Sequence, residues 1–208
     1  MKRAIQLTAL FFVLQGANQS QSQIRIDFDA GRSFVRGSNN VLRYWDNGWN
    51  IGGGVSYIIT PYFQLLANLG YRRLGFDGVG PMFVTPNVLG FHRDINGEAS
   101  RIYEASLGYR LGIFHDFVQP FVSIRGGILS THVGGIRITE WMEQDPQATT
   151  TSFDYQSSGT SFSKTFASVG VGVALQVSPS VNMSLEGAFS ETSDGEQQYY
   201  PVFAAIQL

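Results

Sequence analysis

From Ile24 to the end of the chain, apolar side chains recur at every second position, in eight separate stretches. That period belongs to a strand with one apolar face, and no helix can hold it. In YEASLGYRLG (103–112), Tyr103, Ala105, Leu107, Tyr109 and Leu111 share one face, and Glu104, Ser106, Gly108 and Arg110 share the other. A half-buried strand of a soluble sheet carries long polar side chains on its wet face. Here a Glu and an Arg are separated by a Ser and a Gly, as though space were scarce on the polar side.

The other stretches repeat the pattern. Ile24, Ile26, Phe28 and Ala30 alternate with Arg25, Asp27 and Asp29. Trp49, Ile51, Val55, Tyr57 and Ile59 alternate with Asn50, Gly52, Gly54 and Ser56. Phe63, Leu65, Ala67, Leu69 and Tyr71 stand against Gln64, Leu66, Asn68, Gly70 and Arg72. Pro120, Val122, Ile124 and Ile128 stand against Phe121, Ser123, Arg125 and Gly127. Two more follow in FASVGVGVALQV and VNMSLEGAF, the latter with Glu186 on its polar face, and Tyr200, Val202, Ala204, Ile206 and Leu208 close the series.

The connections alternate as well. Tight turns are expected around Thr60-Pro61, Phe114 to Phe117 and Ser178 to Ser180, and longer loops at roughly 31–48, 74–100, 130–160 and 191–197. Short turns on one side and longer loops on the other predict an all-β fold. It is an eight-stranded antiparallel up-and-down transmembrane β-barrel with short periplasmic turns and long extracellular loops. The apolar face then meets lipid. The small-polar face fills a lumen too narrow for anything but side chains. A secreted lipocalin is the soluble rival, but it would need an apolar inside and a polar outside, the reverse of this parity. Tyr71, Tyr103 and Tyr200 near the loop ends, with Tyr57, Phe63 and Tyr109 near the turn ends, predict two aromatic girdles.

Targeting and composition agree. Lys2 and Arg3 precede an uncharged apolar run, Ala4 to Leu14, and small residues follow. Residues 1–22 read as a secretory signal peptide, cleaved after Ala17 or Ser22, with 23–208 as the barrel domain. The chain has no cysteine, so it holds no disulfide, thiolate metal site or Cys nucleophile. It carries 14 Lys and Arg against 16 Asp and Glu, with no basic patch suited to nucleic acid.

With this layout the chain resembles the small outer-membrane barrels of the OmpA/OmpX type. The resemblance spans the mature chain, and its local pieces are VQPFVSIRGGI and the end VFAAIQL. It implies an outer-membrane location in a Gram-negative envelope. Expected partners are lipid and lipopolysaccharide, the assembly machinery that reads the last strand, and an unidentified partner for the loops. Such strands usually end on an aromatic residue, whereas this one ends on Leu208. No peptidoglycan-binding domain is expected after the barrel.

The firmest functional feature is the set of inward charges: Arg25, Asp27, Asp29, Arg72, Glu104, Arg110, Arg125 and Glu186. Charge at membrane depth is costly unless paired or hydrated. Four basic and four acidic groups can neutralise one another, as a structural core or as the gate of a very small pore. A regular hairpin would set Ser106 opposite Ser123, Arg110 opposite Gln119 and Glu104 opposite Arg125, with Glu186 as the other acid open to Arg125. Inward Leu66, Phe121, Phe166 and Phe203 offer a second reading, a conduit for small apolar molecules.

Catalytic chemistry has few candidates. His92 lies near Asp94 and Ser100 in a loop, and His115 sits in a turn. Ser130 and His132 stand two apart on the lipid-facing side, as His and Ser do in the barrel-shaped lipid A deacylases. Their order is reversed here, and Glu140 is the acidic partner at hand. A strand end entering a polar loop accounts for the pair more simply, so no catalytic residue is assigned. Glu140, Glu143, Asp145 and Asp154 match no calcium-loop spacing, and neither metal nor cofactor is expected.

Overall fold

The computed structural model describes residues 24–36, 45–76, 91–114, 116–142, 151–156 and 160–208. Residues 1–22, expected to be a signal peptide, lie outside them, as do His115, Glu143 and Asp145. Eleven strands are present: β1 (Ile24–Arg36), β2 (Trp45–Thr60), β3 (Phe63–Phe76), β4 (Phe91–Gly97), β5 (Ser100–Gly112) and β6 (Val118–Val133). There follow β7 (Ile136–Met142), β8 (Thr151–Gln156), β9 (Thr160–Ser178), β10 (Val181–Thr192) and β11 (Gln198–Gln207).

Eight of them close into an antiparallel barrel in the order β1-β11-β10-β9-β6-β5-β3-β2. The inward ladder from Arg25 runs through Ser56, Leu66, Gly108, Arg125, Ser168, Ser190 and Tyr199. It returns to β1 at Val35, ten residues beyond its start. That stagger tilts the strands and sets the width of the barrel. Parity follows the expectation. Ile24, Ile26, Phe28, Leu65, Leu69, Leu107, Val122 and Val171 face outward, whereas Asp27, Gln64, Arg72, Ser106, Ser123 and Glu186 are buried inside.

The aromatic girdles are in place. On the loop side, the rings of Trp49 and Tyr71 lie 5.4 Å apart and those of Tyr71 and Tyr103 5.3 Å apart. Phe189 and Tyr200 continue the band at 5.4 Å. On the turn side, Phe63 stacks on Tyr109 at 5.8 Å.

The long loops are not all loops. β4, β7 and β8 form a second, three-stranded sheet, in the order β4-β7-β8, where irregular chain was expected. This sheet prolongs the barrel wall. The register that sets Arg101 opposite His132 also sets Gly97 opposite Ile136, four residues further along each strand. Glu98 and Ala99 on one side and Gly134 and Gly135 on the other make the bend. There the Glu98 N–H donates to Gly135 O at 2.8 Å, and the Gly134 N–H to Ser100 Oγ at 2.9 Å. A Cβ on Gly134 would strike the Glu98 carbonyl, which explains the glycine. The connection expected at 191–197 shrinks to a tight one between Thr192 and Gln198. There the Lys164 ammonium meets Asp194, and Glu196 at 2.6 Å.

Where wall and sheet meet, the mouth is filled. Trp45, Leu74, Ile102, Leu129, Val133, Ile136, Ile138, Phe166 and Tyr199 form one buried apolar cluster. The Trp45 indole N–H donates to Glu98 O at 2.8 Å, anchoring this plug to the bend.

Inside and outside separate two substitutions on adjacent residues. Leu107 is 71% exposed on the outer wall, and Leu107→Arg is expected to destabilise folding into lipid vesicles by about 2–4 kcal/mol near the midplane. Ser106→Arg should fail instead by overfilling the lumen, in detergent as much as in lipid. A neutral Leu107→Arg in a urea titration would contradict the lipid-facing assignment.

Candidate functional site

The alternation puts every inward charge into one narrow channel, and the stagger decides which of them meet. Glu186 of β10 is the hub. Arg125 Nη2 donates to both of its oxygens at 2.5 Å, Ser123 Oγ donates at 2.5 Å, and Arg110 Nη2 approaches at 3.3 Å. Gly170 and Gly172 of β9 lie between Glu186 and its partners on β6. A Cβ on Gly170 would sit 2.5 Å from Glu186 Oε1 and 2.7 Å from Ser123 Oγ. The glycine is there because the carboxylate is.

A second pair joins Arg72 to Glu104 across β3 and β5. Glu104 lies directly opposite Gly70, where even an added Cβ would come only 3.6 Å from its own. A third group lies toward the turn side. Arg25 Nη1 donates to Gln207 Oε1 at 2.9 Å, Gln207 Nε2 to Ser56 Oγ at 2.8 Å, and Asn182 Nδ2 to Gln207 Oε1 at 3.3 Å. Asp27 is buried one ladder step from Gln207.

The register expected for β5 and β6 is corrected. Glu104 faces Leu129 rather than Arg125, and Arg110 faces Ser123 rather than Gln119. Gln119 instead folds into the turn, where its side-chain amide donates to Asp116 O at 2.9 Å. The hairpin is therefore longer at its tip, and the ladder slides by an even number of residues. Parity survives and the pairing changes: Glu104 goes to Arg72, and Arg125 to Glu186.

Inward aromatics cover the cations rather than line a passage. Arg110 lies 4.1 Å from the Phe121 ring centroid, Arg125 5.2 Å from Phe203 and Arg72 5.3 Å from Tyr199. Phe166 belongs to the plug at the mouth, and Leu66 is buried lower down. Asp29, Arg72, Glu104 and Arg125 line a cavity of about 30 Å³, space for about two waters. Sequence reading put Ser123 on the inward face without giving it a role, and it missed the roles of Gln207, Asn182 and, Phe166 apart, the plug residues. The first three share the inward parity of the charges, which was the available signal.

Outside the lumen, the remaining candidates are dispersed. His92 stacks on Trp141 at 5.3 Å, Asp94 accepts from Asn96 at 2.7 Å, and Ser100 is buried at the bend. Ser130 stands opposite Tyr103 and Ser163. His132 Nδ1 lies 2.9 Å from Ser161 Oγ, so the serine bonded to it is not Ser130. Glu140 is held by Arg93 at 2.7 Å and Asp154 by Arg137 at 2.9 Å.

With this geometry in place, likenesses to other proteins can be read. The family profile described as outer membrane protein beta-barrel domain matches residues 4–202. Neisserial surface protein A is similar in structure at 13% identity and a TM-score of 0.52, covering 90% of this chain and 97% of that one. Ail of Yersinia pestis, in complex with the heparin analogue sucrose octasulfate, gives 15% identity, coverages of 89% and 97% and a TM-score of 0.49. The N-terminal barrel of Pseudomonas aeruginosa OprF gives 11%, coverages of 90% and 100%, and 0.45. The first of these likenesses is one of fold alone. No curated protein sequence gives a significant match.

The hub sets a test of the corrected pairing. Glu186→Ala leaves Arg125 and Arg110 without their carboxylate and should cost about 3–5 kcal/mol, less where water enters. In urea unfolding from lipid vesicles, Arg125→Ala with Glu186→Ala should cost much less than the two single losses together. The cycle of Glu104 with Arg125 should show weaker coupling than that of Glu104 with Arg72. The opposite ranking would restore the hairpin register first expected.

Proposed function

Because the chain belongs to the outer membrane protein β-barrel domain family, is of the OmpA/OmpX-like type and resides in the outer membrane, we propose that it works as a sealed, non-enzymatic barrel. It braces the envelope and holds the β4-β7-β8 sheet outside for contact with a partner. The observation that carries this reading is the filling of the lumen. An apolar plug at the mouth, the Glu186 hub below it and the Phe114, Phe121 and Ala174 cluster near the turns support this reading. A core of this kind resists deformation, because Glu186 of β10 is bound from both β5 and β6. The outer sheet offers strand-paired surface rather than irregular loop, with Arg93–Glu140 tying β4 to β7.

Conductance decides between bracing and passage. Wild-type protein in planar bilayers should show no steady conductance, while Glu186→Ala, which frees the hub, should flicker open. Steady unitary currents from the wild type would replace the sealed barrel with a narrow conduit.

Catalysis on lipid is tested apart. Mass spectrometry of lipid A from cells expressing wild type, Ser130→Ala or His132→Ala should give the same species in all three. A deacylated form made by wild type and lost in either variant would make the protein an enzyme.

A further inference from the structure

One row of side chains on the outer wall is basic. Arg73 of β3 stands directly opposite Arg101 of β5, and Arg101 directly opposite His132 of β6. All three carry the outward parity, and both arginines are exposed. Like charges directly opposite each other on a ladder destabilise it. Among the described residues no carboxylate relieves them: in the sheet above, Glu140 is engaged by Arg93 and Asp154 by Arg137. An anion between the two guanidiniums would turn this repulsion into charge-assisted binding. Arginine forks suit a phosphate, which they grip through two N–H bonds at once.

What lies beneath the row says what carries the phosphate. Two residues further into the membrane come Tyr71 and Tyr103, again directly opposite and with their rings in contact, and Trp49, which stands opposite Arg73, packs on Tyr71. These are interface rings, so the arginines sit at headgroup level. Below the rings, on the same strands, the outer wall is hollowed. Gly53, Ala67, Ala105 and Gly126 are small where their neighbours Leu69, Leu107 and Ile128 stand out, and they shape a shallow apolar hollow of about 710 Å³. From Arg73 to Ala67 the strand spans about 20 Å at the usual rise, the scale of a headgroup and the upper part of its chains.

We propose that Arg73 and Arg101 bind the phosphate of a phosphorylated outer-leaflet lipid, whose acyl chains lie over Tyr71 and Tyr103 into the hollow beside Gly126. The bound lipid is a fixed part of the outer wall, joining the barrel to the leaflet around it. This adds a ligand to the sealed barrel and fails independently of it, since conductance reads the lumen and lipid retention reads the outer wall.

The test uses full-length mature protein in detergent with bisphosphorylated lipid A as the probe, counted by native mass spectrometry. Wild type should retain one lipid A, and Arg73→Gln with Arg101→Gln should weaken retention by roughly tenfold or more. Gly126→Leu should weaken it several-fold with the headgroup site intact. A Cβ there meets only Phe166 O, at 3.6 Å, so this variant fills the hollow without displacing backbone. Dephosphorylated lipid A should bind wild type as weakly as lipid A binds the double variant, an arm that needs no mutant to fold. Inorganic phosphate at matching concentration should not displace the lipid. Equal retention by wild type and the double variant, indifference to dephosphorylation, or displacement by free phosphate would each overturn the assignment.

Discussion

Hydrocarbon contains no water to satisfy a peptide group, and that single fact sets most of this structure. Every N–H and C=O of the spanning segments must bond to a neighbouring strand, so the sheet has to close on itself. Closing with eight strands makes a cylinder so narrow that side chains fill it. The inward face therefore cannot be lined with long polar groups and bathed in solvent. It becomes a core, and a charged one: each cation or anion has to be matched by a partner in reach.

That requirement explains the pairing of long and small residues. Glu186 reaches β6 because Gly170 stands aside, Gly172 makes room for the Phe121 ring, and Glu104 lies over Gly70. Phe121 and Phe203 close over guanidiniums that the carboxylates leave partly covered. Buried ion pairs stabilise weakly in themselves, since desolvation offsets much of their attraction. Their stronger effect here is selective. A register slipped by one residue would turn the charges into lipid, so the network excludes the wrong sheet more than it strengthens the right one.

How much of this was legible in the sequence follows from the same physics. Alternation has a period of two and needs no knowledge of neighbours, so strands, inside, outside and the girdles of Tyr71, Tyr103 and Phe63 could be read directly. Register depends on turn geometry, and the turn near Phe114 is tied by contacts no local pattern reveals. Phe114 N–H donates to Pro61 O of the adjacent turn at 2.9 Å, and Gln119 bonds within the loop. The four-residue slide that results changed every partner while leaving every face intact. Glu186 and Arg125 meet across an intervening strand, a consequence of barrel stagger that pairwise hairpin reasoning does not contain. The outer sheet was read as loop because its strands, such as Phe91–Gly97, are short and partly polar, and they form only as prolongations of β5, β6 and β9.

The two walls of the same strands solve different problems with the same alternation. On β5, Glu104 is held from inside by Arg72, while its neighbour Tyr103 packs outside against Tyr71. Two residues up, Arg101 emerges from the membrane with no carboxylate among the described residues, opposite Arg73. Inside the barrel, Glu104 and Glu186 take their counter-charges from the protein's own arginines. Outside, at headgroup height, the leaflet itself supplies anions, and a basic pair can stay uncompensated by protein without loss. The distribution of paired and unpaired arginines along one strand thus maps where protein ends as the solvent for charge and where the membrane takes over.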